Sequence, residues 1–433
     1  MKRKSISLSL LAALAAALPA GADVIHRYSF TADASDSVGS ASGTLLGGAT
    51  IDNKAVVLNG TDGYVDLPNN IVSSLNALTL ETWITDTGSA GWARVWDFGT
   101  SAGGEDVSGT GLTHIFLSLP NGGGALMSDY RSSSAEQSLT IPRPPADVPV
   151  HVVWTSDPVT KLGSLYLNGA LAGTLNNLNI TPAQVGNTFN DWLGRSQYND
   201  PYFKGSIDEF RIYDNAISPL QVAVDAALGP DALFTDPGTL QTVTVNAAAS
   251  MDVGSVQRAT VTGKFANLDG VGLSTLATYT SDNPGIIAIL DATGKLGAIS
   301  PGTAIITATY GGVSGTKSIT VKAVPPKLLH RYSFTADATD SVGSADGALA
   351  GNAAIQDGQV VLDGVDGYVD LPNDLIMNQN SITIESWVTD NGSGGWARIF
   401  DFGNSAGGED QGTGGTQYVF LSWPAGDGFL RGA

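Results

Sequence analysis

The sequence contains no cysteine, only four histidines and four methionines, and just 21 Lys and Arg against 41 Asp and Glu in 433 residues. Without cysteine there is no disulfide framework, so stability has to come from packed cores or from bound metal. The scarcity of cations leaves a net charge of −20, and losing Lys2, Arg3 and Lys4 with a leader would take it to −23. Such a charge repels phosphate backbones and anionic lipid headgroups, which removes nucleic acid and membrane surfaces from the expected partners. After the first 20 or so residues, no apolar run is long enough to cross a bilayer as a helix. Charged residues make up only 14% and hydrophobic ones 42%, a balance that supports buried cores and excludes a chain disordered throughout.

What the chain has in quantity is glycine, 54 residues, with 19 prolines. With few of the strong helix formers Glu, Lys, Arg and Met, this points to β-sheet with many tight turns. The length predicts two or three domains. The start reads as a secretory signal peptide over 1–22: basic Lys2 to Lys4, an apolar run from Ile6 to Leu18, then Ala20-Gly21-Ala22 before Asp23. The expected location is therefore secreted or at the cell surface, with no membrane span beyond the leader.

Self-comparison reveals a duplication. His26-Arg27-Tyr28-Ser29-Phe30 recurs as His330-Arg331-Tyr332-Ser333-Phe334, and the same spacing then holds without a gap. Asp62 to Pro68 returns as Asp366 to Pro372, and Gly91-Trp92-Ala93-Arg94 as Gly395-Trp396-Ala397-Arg398. The first copy runs on to near Gly229, whereas the second reaches only the position equivalent to Asp129. The expectation is a second module incomplete at its C-terminus, in a fragment of a longer protein, with unpaired strand edges prone to aggregate.

Strand candidates in the first copy are Val56–Leu58, Leu78–Ile84, Val150–Trp154, Leu165–Leu167 and Ile207–Tyr213, separated by Gly, Asn, Asp and Pro clusters. Only Pro219–Leu228 reads as a helix, followed by a linker-like Gly229-Pro230-Asp231. Between the copies, Thr242–Val245, Thr303–Tyr310 and Ser318–Val321 alternate apolar and polar residues, the pattern of a small antiparallel sandwich. Pro325-Pro326 stiffens the junction that follows.

The aromatic opening strand (Tyr28, Phe30), Asp36-Ser37-Val38-Gly39, Leu58-Asn59-Gly60 with Asp62-Gly63-Tyr64-Val65, and Thr82-Trp83-Ile84 resemble the LamG-like, concanavalin A-like jelly-roll family. The resemblance continues through His151 to Trp154, Leu165 to Gly169 and Gly205 to Tyr213. The middle segment, with Ser281-Asp282-Asn283-Pro284, Thr293-Gly294-Lys295 and Pro301-Gly302-Thr303-Ala304, resembles bacterial Ig-like group 2 domains. Together these imply an all-β chain: a LamG-like jelly roll over 23–230, an Ig-like sandwich over 231–324 and a truncated second jelly roll over 325–433.

The resemblance implies calcium at Asp36 and Asp208, positions where related jelly rolls tie their two ends together; Gly104-Glu105-Asp106 with Asp97 is a second candidate set. A solvated turn carboxylate is the other reading of each. Gly99-Thr100-Ser101-Ala102-Gly103 fits a hydrolase nucleophile elbow, but the Gly-rich run after it cannot start the required helix. Asp208 and Glu209 are neighbours on a strand and point to opposite faces, so they cannot act as a glycosidase pair. The chain is therefore expected not to be an enzyme. The histidines read as packed or hydrogen-bonded, and His114 becomes Tyr418 in the second copy.

Sugar rings stack on exposed aromatics while amides and carboxylates take their hydroxyls. The stretch Trp192 to Phe203 fits best, so the expected ligand-binding residues are Trp192, Tyr198, Asn199, Asp200 and Tyr202, with Trp92 and Arg94 behind them. The expected function is calcium-assisted, non-catalytic binding of a glycan. Two other roles fit the same residues: a spacer or adhesin for a surface-protein partner, or the targeting region of a larger extracellular hydrolase.

Overall fold

The computed structural model describes residues 22–379, 381–408 and 414–433. The signal peptide expected over 1–22 lies, but for Ala22, outside them. The chain divides into two compact units, one up to Val324 and one from Pro325.

The first unit opens with fifteen strands. In chain order they are β1 (Val24–Tyr28), β2 (Thr44–Leu46), β3 (Thr50–Asp52), β4 (Ala55–Asn59), β5 (Tyr64–Leu67), β6 (Leu78–Asp86), β7 (Arg94–Ser101) and β8 (Gly111–Ser118). Then come β9 (Leu126–Arg131), β10 (Glu136–Ile141), β11 (Val150–Asp157), β12 (Leu162–Leu167), β13 (Ala170–Asn176), β14 (Asn190–Leu193) and β15 (Lys204–Tyr213), with one helical turn not expected from the sequence, α1 (Pro182–Val185), between β13 and β14. They form two antiparallel sheets. One runs β13-β12-β11-β6-β15-β4-β3, with β1 also paired to β15; the other runs β10-β9-β8-β7-β14-β5-β2. This is the expected two-layer, concanavalin A-like sandwich, and every strand candidate of the first copy lies within an observed strand.

Between the sheets, the core is shared by Leu78, Leu80 and Ile84 of β6, Val95, Trp96 and Phe98 of β7, where a register shift brings two consecutive residues inward, and Ile115 and Leu117 of β8. Trp96 and Phe98 pack within about 6 Å of Phe210 on β15, and Trp154 Nε1 donates to Tyr130 Oη at 3.0 Å. Each such side chain adds roughly 1.5–3 kcal/mol by leaving water.

The outer face of the eight-stranded sheet holds a buried charge network. Glu81 accepts from His151 Nε2 at 2.9 Å, Arg211 Nη1 at 3.1 Å and Tyr213 Oη at 2.6 Å, and Glu209 accepts from Arg27 Nε at 2.7 Å and from Arg211 Nε. These partners hold the Glu81 carboxyl below its ordinary range, against the upward push of burial. Buried charges survive only when matched in this way.

Helix α2 (Pro219–Leu228) begins where Ser218 Oγ accepts from Gln221 N and Pro219 occupies the first turn. Its two flanks enter different cores: Val222 packs with Tyr213 and Val153, while Ala223 and Val224 join Val243, Val271 and Ile319 of the segment that follows. Arg211 Nη2 donates to Pro230 O at 2.7 Å and Ala232 O at 2.8 Å. The stretch expected as a linker is thus tied down by a guanidinium from the sheet.

Residues 240–322 form three small sheets of ten short strands. Pairing is antiparallel apart from Ser250–Asp252, which runs parallel to Thr320–Lys322.

In the second unit, Arg398–Ser405 pairs with Gly415–Ser422, Ala354–Gln356 forms a hairpin with Gln359–Val361, and Ala348–Ala350 pairs with Tyr368–Asp370 around it. Residues 382–390, the equivalent of β6, carry no strand.

Candidate functional site

On the outer face of the seven-stranded sheet, two loops meet. Residues 102–110, between β7 and β8, bond to residues 194–203, between β14 and β15: Gly109 N donates to Gln197 O at 2.8 Å, and Ser108 Oγ to Ser196 O at 2.8 Å. Where they join lies a groove of about 430 Å³ lined by Val107, Ser108, Arg195, Tyr198, Asn199, Asp200 and Tyr202.

Four of the wall residues are braced by neighbouring side chains. Tyr198 Oη accepts from Arg131 Nη1 at 2.8 Å, and its ring meets His114 edge-on at 6.0 Å. It lies so close over β8 that a Cβ on Gly111 would stand 2.5 Å from the ring. Asp200 Oδ2 accepts from Ser196 Oγ at 3.0 Å and pairs with Arg94 Nη2 at 3.1 Å. Tyr202 packs 6.1 Å from Tyr64. Arg195 lies over Trp192 at 4.0 Å and Tyr64 at 4.7 Å, and donates to Ser108 Oγ at 3.2 Å and Asp106 O at 3.0 Å. Cation–π contacts on two rings hold a guanidinium plane with little freedom left. Next to it, burial and then the charge of Asp106 push the Asp66 carboxyl up to about 6.

Of the seven expected ligand-binding residues, the structure gathers Tyr198, Asn199, Asp200 and Tyr202 into one groove. Arg94 is fully buried behind it, joining Asp200 to Asp97 (3.3 Å) and to the carbonyl of Trp92. Trp192 corrects the expectation of an exposed stacking ring: it lies in β14, fully buried, with Arg195 on its face and Tyr64 against it. Trp92 is exposed but does not line the groove. Val107, Ser108 and Arg195 went unselected; Arg195 lies inside the chosen stretch, and its aromatic neighbours were the signal.

The calcium expectation at Asp36 does not fit. Its carboxylate is wholly buried and accepts from His26 Nδ1 at 2.7 Å and from the N–H groups of Arg27, Val38, Gly39 and Ala41. Burial pushes its pKa up, but these donors outweigh that and hold it at about 2. A carboxylate so surrounded by N–H groups has no oxygen left for a cation. Burial, and after it the charges of Asp231 and Glu209, push the half-buried Asp208 carboxyl up. In the other candidate set, Asp97 is taken by Arg94 and Gln197 N, and Glu105 by Asn69. Among the described residues, one His and carboxylate group comes within metal-ligand reach, His114, Asp129 and Glu136. There His114 Nε2 bonds Asp129 Oδ1 at 2.9 Å and Arg131 faces Glu136 at 3.8 Å. In the Gly-x-Ser-x-Gly stretch, Ser101 ends β7, its hydroxyl turned to the Val107 carbonyl, and no helix follows.

No curated protein sequence matches the chain. Among solved structures, domain 4 of AbnA, an extracellular arabinanase from Geobacillus stearothermophilus in complex with arabinotriose, is 26% identical, over 47% of this chain and 98% of that one, with a TM-score of 0.38. The CBM40 of Ruminococcus gnavus IT-sialidase bound to α2,3 sialyllactose is 21% identical over 38% of this chain and 92% of that one, TM-score 0.33. A heptameric SAP-like pentraxin from Limulus polyphemus is 15% identical over 38% and 74%, TM-score 0.29. Residues 59–223, which hold β5 to β15 and every residue of the groove, match the family model described as the concanavalin A-like lectin/glucanases superfamily.

Proposed function

We propose that the first module binds a glycan in the groove between residues 102–110 and 194–203, as a secreted or cell-surface protein. The observation that carries this reading is the convergence of Tyr198, Tyr202, Asn199, Asp200, Ser108 and Arg195 on one cavity of about 430 Å³. Two tyrosines offer ring faces to sugar C–H groups; the amide, carboxylate, hydroxyl and guanidinium offer donors and acceptors to hydroxyls. The match of 59–223 to a lectin/glucanase superfamily supports the same class of ligand.

The lining favours binding over catalysis. Glycosidic hydrolysis by the usual route needs two carboxyl groups about 5–10 Å apart across the bond. Asp200 is the one carboxylate of the groove, and it is already held by Arg94 and Ser196.

The test is a glycan array probed with the full chain and with Asn199→Ala and Tyr202→Ala. Each variant is expected to weaken binding at least tenfold with an unchanged melting temperature, in calcium and in EDTA alike. Equal binding by wild type and both variants rejects the groove.

A further inference from the structure

The turn Gly91-Trp92-Ala93-Arg94 lies outside the groove, and it is built twice. Trp92 has φ +70 and its counterpart Trp396 φ +69, a left-handed conformation that side chains other than Asn and Asp rarely adopt and that glycine adopts freely. Phe30 shares this conformation, but its ring is fully buried, so core packing accounts for it. Trp92 is 39% and Trp396 46% exposed. Neither backbone preference nor the core explains a tryptophan at this position.

The surroundings hold the ring in place. Trp92 N donates to Pro120 O at 2.7 Å, and Trp396 N to Pro424 O at 2.7 Å. Arg94 Nη1 donates to Trp92 O at 2.6 Å and lies 5.6 Å from the indole; Arg398 does the same to Trp396 at 2.9 and 5.8 Å, and there a second guanidinium, Arg431, lies 5.3 Å from the ring. The ring rests against a glycine in both copies: a Cβ on Gly122 or on Gly426 would stand 2.4 Å from Nε1. Ser118 Oγ and Ser422 Oγ bridge the same two carbonyls, Ala93 and Pro120 in one copy, Ala397 and Pro424 in the other.

We propose that Trp92 and Trp396 are each a stacking platform for one sugar ring, sites additional to the groove. Strained backbone held by a well-determined surround is characteristic of functional positions. In the first module no other large hydrophobic residue of 87–93 or 119–125 is exposed. A single indole among glycines suits one pyranose or furanose ring and is far short of the contiguous apolar area of a protein interface. Two platforms on one chain add avidity on a polymeric glycan.

The test uses the full chain as wild type, Trp92→Gly, Trp396→Gly, the double variant, and Tyr202→Ala, on an array of immobilised arabinan, xylan, β-glucan and mannan fragments. Glycine keeps the left-handed turn and removes only the ring, so melting temperatures are expected to stay within 2 °C or rise. Gly122→Ala, which displaces the indole, is the second route to the same loss. The expected result is about threefold weaker binding for each single Trp variant and at least tenfold for the double. A folded double variant that binds within twofold of wild type overturns the proposal, as does a wild type that binds no fragment. Loss in Tyr202→Ala alone retains the groove and rejects the platforms; loss in the Trp variants alone does the reverse.

Discussion

The two copies share their first hundred residues closely enough that any difference between them isolates what the remaining residues contribute. Features made by neighbours in sequence are the same in both. His26 to Asp36 measures 2.7 Å and His330 to Asp340 2.6 Å; Tyr28 Oη reaches Ala41 O at 2.6 Å and Tyr332 Oη reaches Ala345 O at 2.7 Å. Features that depend on distant strands are not. Leu78–Asp86 is a nine-residue strand between β11 and β15, whereas the conservatively changed Ile382–Asp390 has no ladder, and Trp387 is 87% exposed where Trp83 is 8% exposed. A β-strand pattern is a statement about a surface to be covered, and it becomes a strand only when the cover is present.

The sharpest way to break this comparison is to push the first copy towards the second. Arg211→Ala leaves Glu81 and Glu209 buried without their shared cation and is expected to lower stability by about 3–5 kcal/mol. Urea unfolding followed by the summed fluorescence of the eight tryptophans, Trp83 among them, checks it; an unmoved midpoint contradicts it.

A second contrast is in pH. Burial pushes the Asp191 carboxyl up to about 7, so between pH 4 and 7 the folded chain holds a proton that the unfolded chain releases. Stability of the first module is therefore expected to fall as pH rises through that window, by roughly 2–4 kcal/mol. Asp191→Asn should flatten the slope in thermal melts taken across it. An unchanged slope in the variant assigns the loss to other groups.

Asp36 has the opposite sign and lets the copies be compared directly. Its depressed pKa contributes stability that is complete above pH 4 and is lost as pH falls towards 2, about 2 kcal/mol in all. Amide exchange at Gly39 and Gly343 should accelerate together in acid, and Asp36→Asn should affect only the first. The smallest expected effect is Lys54→Ala: its pair with Asp231 is exposed on both sides, and the change should stay within about 0.5 kcal/mol.

The sequence revealed most where structure is local or periodic. Runs of β-prone residues between Gly, Asn, Asp and Pro clusters placed β4, β6, β11, β12 and β15, and the stretch read as a helix, Pro219–Leu228, is α2. The aromatic and amide-rich stretch Tyr198 to Tyr202 led to the groove. Trp192 was misread because Asn190-Asp191-Trp192-Leu193 is too short to show alternation. What places it in a strand is pairing with β5 and β7, far away in sequence. Asp36 was misread for a related reason: Asp-Ser-x-Gly looks the same whether its carboxylate faces a cation or a ring of N–H groups, and the deciding partner, His26, sits ten residues upstream. The tie between Arg211 and the carbonyls of 230 and 232 has no sequence signature.

Helix α2 and that tie have a mechanical consequence. When a multidomain chain is pulled through its termini, a slack connector stretches first and the domains on either side turn freely. Here the connector carries little slack, because Val222 is anchored in one core, Ala223 and Val224 in the next, and Arg211 clamps the exit. Tension applied beyond Lys322 would reach the jelly-roll sheet at once, loading β15 at the centre of its ladder rather than at an edge.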